Sequence, residues 1–506
     1  MPRKLKLIAI GLIVALALTA RLLPTPRTID DAFITFRYAG NLLAGQGFVY
    51  NPGERVLGTT TPLYTGLMAA VAGVTGYADY PRIAWLVNAL ADTVTCLLLV
   101  RLGEKLSRRP GVGLAAGALW AIAPMSVSFA IGGMETSVFI LLLVGSAYLY
   151  LTGHTRAAAL AGAALLLTRP DGVLLVGPMA LDLAWRSWRR RTLPWAEAGL
   201  FLLVLAPWGL WATLYFGSPI PHSLAAKSLA YRQGPTDALI RLIQHYSTPF
   251  FEDLALGKYW RLGGVFVYLG LALLGTRAAL QRNPRAWLLA LYPWLYLGVF
   301  AAANPLIFRW YLAPPLPFYF LFILAGLAKL ADDLFKRPAF LLPSSLLLTT
   351  AFALFFLFSL NEWTLTPDHG PQAPAPQMAW HRLELLYTQV AQTLVREQKV
   401  TPHTLIAAGD VGALGYYTQA RILDTVGLMS PQASAYYPLD AALYTINYAV
   451  PPQLILDEKP DYVILLEVYG RNGLFRNAAF LAQYQRLETI PTDIYGSDGL
   501  LVFKRR

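Results

Sequence analysis

The chain has 506 residues, 56% hydrophobic and 14% charged, with a mean hydropathy of +0.47. A soluble domain carries about 25% charged residues, so a single soluble globule is excluded, as are disorder and a fibrous repeat. The 41 basic and 29 acidic residues leave a net charge of +12, but much of the excess sits between apolar runs, where positive-inside topology explains it without nucleic acid as a partner.

The first apolar run, Leu5–Leu23, follows Arg3, Lys4 and Lys6, which puts the N-terminus in the cytoplasm. Arg21, Pro24 and Pro26 stand where a signal peptide would carry small residues, so the run reads as a retained anchor. Residues 24–80 form a first outer loop. Within it, Pro62–Val74 is apolar but about 13 residues long, which suits an interfacial or re-entrant helix better than a span. That choice keeps Arg101, Lys105, Arg108 and Arg109 cytoplasmic.

Ten further spans follow at 82–102, 112–131, 135–152, 157–168, 171–186, 194–215, 262–280, 286–303, 311–330 and 339–360. They place three more basic clusters on the inner side: Arg186 with Arg189, Arg190 and Arg191; Arg277 with Arg282 and Arg285; and Lys336 with Arg337. None of these set the orientation, so their agreement supports it. Asp92 lies mid-span one turn from Asn88 and reads as an interhelical hydrogen bond, with a proton relay as the alternative. The single cysteine, Cys96, lies in an apolar run and reads as a small core residue. A second outer loop covers 217–261.

About eleven spans, an odd number, leave the C-terminus outside. The chain divides into a transmembrane domain at 1–362, a Pro-rich linker at 363–377 and a soluble outer domain at 378–506. That last part has an amphipathic helix, Met378–Glu397, and strands at Thr404–Ala408, Tyr462–Leu466 and Leu500–Phe503, as in a small α/β fold. The fold class is therefore a polytopic α-helical protein of the cell membrane with an extracytoplasmic α/β domain.

The most informative segment is Asp30-Asp31-Ala-Phe-Ile-Thr-Phe-Arg37-Tyr38 in the first outer loop. Neighbouring side chains diverge on a helix and on a strand, so the two carboxylates cannot oppose each other across a substrate. They suit one general base and one orienting group or metal ligand. Alternatively Asp30 caps a helix over 31–44 while Asp31 favours its positive end. Either could hold a divalent cation (Mg, Mn or Ca); no His/Cys cluster supports zinc.

The loop continues through Gly45-Gln-Gly47-Phe-Val-Tyr50-Asn51-Pro-Gly53-Glu54 to Pro62-Leu-Tyr64. This pattern resembles the opening of the GT-C integral-membrane glycosyltransferases that use polyprenyl-phosphate sugars. It is most similar to bacterial members related to the terminal arabinofuranosyltransferase, and more distantly to the lipid A aminoarabinose transferase and the protein O-mannosyltransferases. Later segments extend the likeness in order: Gly132-Gly-Met-Glu135-Thr, Thr168-Arg169-Pro-Asp171-Gly, and Gly217-Ser-Pro-Ile-Pro-His222 through Lys227. His222 stands where the family carries Asn. Gly409-Asp410-x-Gly412 and Asp424-x-x-Gly427-Leu428 also fit.

The resemblance implies an inverting transfer from a polyprenyl-phosphate donor to an outer glycan, glycolipid or protein acceptor, with membrane lipid around the protein. Such a donor is already activated, so no nucleotide is called for. It implies Asp30, or else Asp31, as base. Arg37, Arg169, Lys227 and Arg309 are the candidates to hold the leaving phosphate. Arg169 and Arg309 lead, because a cation at the end of an apolar helix is costly unless paired. The bland alternatives are a local salt bridge to Asp171, snorkelling of Arg309 and a solvated Lys227.

Glu135 either opens a helix or lines the sugar pocket. Tyr38, Tyr50 and Tyr64 either stack on sugar or belong to an interfacial belt. Glu54, Asp171 and His222 complete the substrate-binding set from the matched motifs. Asp410 and Asp424 either touch sugar hydroxyls or build turns at strand ends. Two other classes compete: a transporter or lipid flippase, for which no inverted repeat is visible, and a non-catalytic glycan-binding assembly protein.

Overall fold

The computed structural model describes residues 2–335, 344–362 and 379–506. The expected linker at 363–377 and the Lys336–Arg337 cluster lie outside the described residues. The chain opens with α1 (Arg3–Leu22), followed by α2 (Asp30–Leu43) and α3 (Pro62–Thr75) in the first loop. Next come α4 (Tyr80–Ser107), α5 (Pro110–Ile122), α6 (Pro124–Ile131), α7 (Thr136–Leu151), α8 (Thr155–Thr168), α9 (Val173–Arg189) and α10 (Trp195–Phe216). The second loop holds α11 (His222–Ala230) and α12 (Asp237–Ser247), and four apolar helices follow: Trp260–Leu280, Trp287–Ala303, Leu316–Phe335 and Ser344–Glu362.

Where residues are described the expected spans fall on helices, 112–131 on two of them, and they are not of one kind. Among the described residues, six helices are long and apolar enough to cross a membrane. A seventh is reached if α5 and α6, bent by 46°, form one broken span. The break falls at Pro124, which lacks the N–H that would continue the helix. α3, α7 and α8 are apolar but shorter; at 1.5 Å per residue α7 covers about 24 Å, less than a bilayer core of about 30 Å.

Buried polar contacts hold the bundle in register. Arg21 and Asp92 are both fully buried and pair at 2.9 Å. Ser137 donates to the same Asp92 oxygen at 3.0 Å, while Arg21 also reaches Ala121 O at 2.9 Å and Ser126 Oγ at 2.6 Å. One guanidinium thus ties α1 to α4, α5 and α6, and Asp92 adds α7. Asn88 instead donates to Ala130 O and Met134 O, at 3.3 and 2.8 Å. Helices Trp260–Leu280 and Leu316–Phe335 approach through Gly275 and Gly326, where a Cβ on either would collide with the other's backbone.

In the C-terminal part, helix Ala379–Glu397 precedes a five-stranded sheet. Its strands are β1 (Leu405–Ala408), β2 (Arg421–Asp424), β3 (Tyr462–Leu466), β4 (Tyr484–Ile490) and β5 (Leu500–Arg505), in the order β2-β1-β3-β5-β4. β2, β1 and β3 run parallel; β5 and β4 are antiparallel. β3 is buried at all five positions, as a strand covered on both faces requires. β2 and β4 are additional to the expected strands. The carboxyl ends of β1 and β2 lead into Asp410 and Asp424 and face α2.

Candidate active site

α2 begins at Asp30 itself, with Ile29 before it and no side-chain cap. The capping reading of Asp30 is therefore corrected. Its carboxylate leaves its own helix and accepts the backbone N–H groups of Gly412 and Ala413, both at 2.8 Å. Helix Gly412–Thr418 thereby seats directly on α2. Gly412 has to be glycine, because a Cβ there would collide with the Asp30 carbonyl.

The same seam uses other residues expected to bind substrate. Arg37 Nη2 donates to Ala420 O at 2.6 Å and its guanidinium lies 4.4 Å from the Tyr50 ring centroid. Tyr50 Oη donates to Val411 O at 2.6 Å, and Glu54 pairs with Arg421 at 2.6 Å. Arg37, Tyr50 and Glu54 thus join the C-terminal domain to the bundle and line neither cavity described below. Tyr38 donates to Val56 O at 2.6 Å and accepts from Gly58 N–H at 3.1 Å, which shapes the 58–61 segment. Tyr64 is spent on Gly133 O at 3.0 Å. With Asn88 on Met134 O, it fixes the turn that presents Glu135.

A cavity of about 260 Å³ lies beneath this seam, lined by Asp31, Thr59, Thr61, Glu135, Arg169, Asp171, Lys227, Trp310 and Tyr311, with Leu428 and Met429 from the outer domain. The Thr59 and Thr61 hydroxyls lie 3.1 Å apart. Arg169 holds Asp171 with two parallel bonds of 3.0 Å and reaches Glu135 at 3.3 Å. Two carboxylates on one buried guanidinium leave a negative balance, so the local salt bridge describes Arg169 better than phosphate binding does. Lys227 makes no ion pair among the described residues. Its ammonium sits 5.3 Å over the Phe308 ring. His222 sits off the cavity: its N–H donates to Leu57 O at 2.8 Å and anchors the helix that carries Lys227.

Burial raises the Asp31 carboxyl above the usual carboxylate range, and Lys227 pulls it partly back. Burial works against the Lys227 ammonium, but Tyr311, Asp31 and Glu135 outweigh it and hold the group charged.

A second cavity, about 350 Å³, lies between the bundle and the C-terminal domain, and it shares Asp31 and Trp310 with the first. Asp30, Arg309, Asp410, Tyr231, Tyr448, Tyr469 and Tyr495 line it. Burial pushes Asp410 up to about 7; the Tyr387 hydroxyl opposes this and Asp31 adds to it. Asp424 is a turn builder: its carboxylate accepts the N–H groups of Val426 and Met429 at 2.9 Å. Among the described residues no group of three His, Cys, Asp or Glu side chains could hold a metal ion. Asp30, with both oxygens on backbone N–H groups, is poorly suited to be a ligand. Sequence reasoning missed Thr59, Thr61, Trp310, Tyr311, Tyr469 and Tyr495. The first pair was visible as a polar run, Thr59-Thr60-Thr61, ahead of an apolar helix.

Three comparisons bear on this site. A family described as "Predicted membrane protein (DUF2079)" matches residues 75–409, and a domain of unknown function, DUF8728, matches 376–503. The terminal beta-(1->2)-arabinofuranosyltransferase of Mycobacterium tuberculosis is 32% identical over 227 residues, 40% of this chain. The chain spans only 35% of that relative's length. The crystal structure of ArnT from Cupriavidus metallidurans in the apo state superposes with a TM-score of 0.56 at 14% identity, over 97% of both chains. The same protein bound to undecaprenyl phosphate gives 0.53 at 13% identity, over 99% of this chain and 98% of that one. At these identities the likeness establishes the fold.

Proposed function

The chain belongs to the DUF2079 family of membrane proteins, and from its site we propose that it is a glycosyltransferase that takes a sugar from a polyprenyl-phosphate donor. The observation that carries this reading is the position of Asp31, on the wall common to two cavities, one of which contains the half-buried cation Lys227. A transferase with two substrates needs its base where they meet. The named relative and the undecaprenyl phosphate bound to ArnT support a lipid-linked donor.

In the proposed reaction the donor phosphate lies against Lys227 and the sugar sits among Thr59, Thr61, Glu135 and Asp171. An acceptor hydroxyl oxygen attacks the anomeric carbon and its proton passes to Asp31. The bond from that carbon to the phosphate oxygen breaks with its electron pair staying on the phosphate, where Lys227 meets the charge that develops. A glycosidic bond and a polyprenyl phosphate result, with inversion at the anomeric carbon. Arg169 holds Glu135 and Asp171 in place. The site lies at the helix ends opposite the basic clusters, which supports reading its face as the extracytoplasmic one.

The test is transfer by purified protein, with short-chain polyprenyl phosphates carrying arabinofuranose, mannose or glucose. Asp31→Asn is expected to lower donor consumption by about 10²–10⁴-fold with the fold intact. Full turnover by that variant would remove Asp31 from the role of base.

A further inference from the structure

The proposed reaction leaves the walls of the second cavity unexplained. That cavity sits at the carboxyl ends of parallel strands β1 and β2, the place where open α/β sheets take ligands. Its aromatic side is built rather than incidental: Tyr448 packs against Tyr231 and Tyr469, with ring centroids 5.9 and 4.9 Å apart. Tyr495 is 51% exposed and has φ +56°. A bulky side chain in the left-handed region is strained, and such strain persists only where its surroundings enforce it.

Asp410 lines the same space. The Tyr387 hydroxyl donates to one of its oxygens at 3.2 Å, and the other takes no hydrogen bond from the described residues. Flat aromatic faces beside a carboxylate and an arginine suit a carbohydrate, which has apolar ring faces and many hydroxyls. They suit a lipid chain poorly, because the charged groups would be buried against hydrocarbon.

Resting on the transferase reading, the geometry points to this cavity as the acceptor site, taking the hydroxyl-bearing end of a glycan whose terminal ring stacks on Tyr495 and is oriented by Asp410. The outer domain then supplies specificity while the bundle supplies the base. Asp410 accepts a hydrogen bond from a hydroxyl next to the reacting one, and the reacting hydroxyl is left facing Asp31.

The experiment uses the full chain in detergent and titrates soluble tetrasaccharides of arabinofuranose, mannose and glucose by calorimetry. Undecaprenyl phosphate is titrated separately. At least one tetrasaccharide should bind. Tyr495→Gly, which removes the ring and relieves the backbone, and Asp410→Asn should each weaken it tenfold or more. Tyr495→Phe should keep the affinity. Lys227→Met should weaken undecaprenyl phosphate and leave the sugar.

Failure of all three sugars to bind, unchanged affinity in both Tyr495→Gly and Asp410→Asn, or competition between sugar and undecaprenyl phosphate for one site would each overturn the assignment. Sugar binding that depends on Tyr495 without any binding of undecaprenyl phosphate would remove the donor reading and keep the glycan site.

Discussion

Replacing Lys227 with methionine should do more than weaken the donor. Asp31 accepts a proton only when ionised, so kcat/KM rises with pH through its raised pKa and is flat above. Lys227 is what pulls that pKa down. In Lys227→Met the acid limb should therefore shift to higher pH, and the deficit should be larger at low pH than at high. A limb that stays in place would disconnect the two residues. Asp30→Asn should behave differently from Asp31→Asn: it puts an amide N–H2 where one of two oxygens accepts a backbone N–H from the C-terminal domain and should lower the melting temperature, a hydrogen bond being worth about 0.5–1.5 kcal/mol. At this scale the sequence was half legible. The Asp30–Asp31 pair and Lys227 were both singled out in the sequence, and Asp31 and Lys227 line one cavity. A division of labour was visible, but which carboxylate is bound by backbone N–H groups was hidden, because the partners of Asp30 lie more than 380 residues away.

Helix Gly412–Thr418 is the element that converts two modules into one site. In Gly412→Ala the new methyl group meets the Asp30 carbonyl, and overpacking of this kind costs about 1–3 kcal/mol. Hydrogen exchange should show faster opening along α2 and β1, with the core of the bundle unaffected. By contrast, Asp92→Asn strikes inside the bundle. It leaves the buried Arg21 without its counter-charge and should destabilise by about 3–5 kcal/mol, visible as loss of folded protein after extraction. The helices could be read because an apolar run of that length has one stable form in a membrane. β2 and β4 could not: β2 has only two apolar residues, Ile422 and Leu423, between Arg421 and Asp424, and β4 is exposed at its middle positions, so neither shows a strand's apolar pattern. The interhelical hydrogen bond expected of Asp92 is present, from Ser137 and from Arg21; Arg21 was not foreseen as the partner, because it lies 71 residues away on α1.

Across the whole molecule the charges and the chemistry separate. Glu135 precedes α7 and Arg169 follows α8, whereas Arg186 to Arg191 lie at the far end of α9 from Asp171. In proteoliposomes of defined orientation, donor should be consumed only when its head group is on the leaflet away from that arginine cluster. Equal consumption from both leaflets would contradict the assigned sidedness.

The two cavities also differ in what lies behind them. At about 350 Å³ the outer one is near the lower end of the range for ligand pockets, roughly 300–1,000 Å³, and helix Gly412–Thr418 is clamped to α2 beside it. A space of that size holds a few sugars at most, so the proposed enzyme would act on the tip of a long acceptor. Its affinity should stop rising once the acceptor exceeds a few sugars, however long the chain behind them.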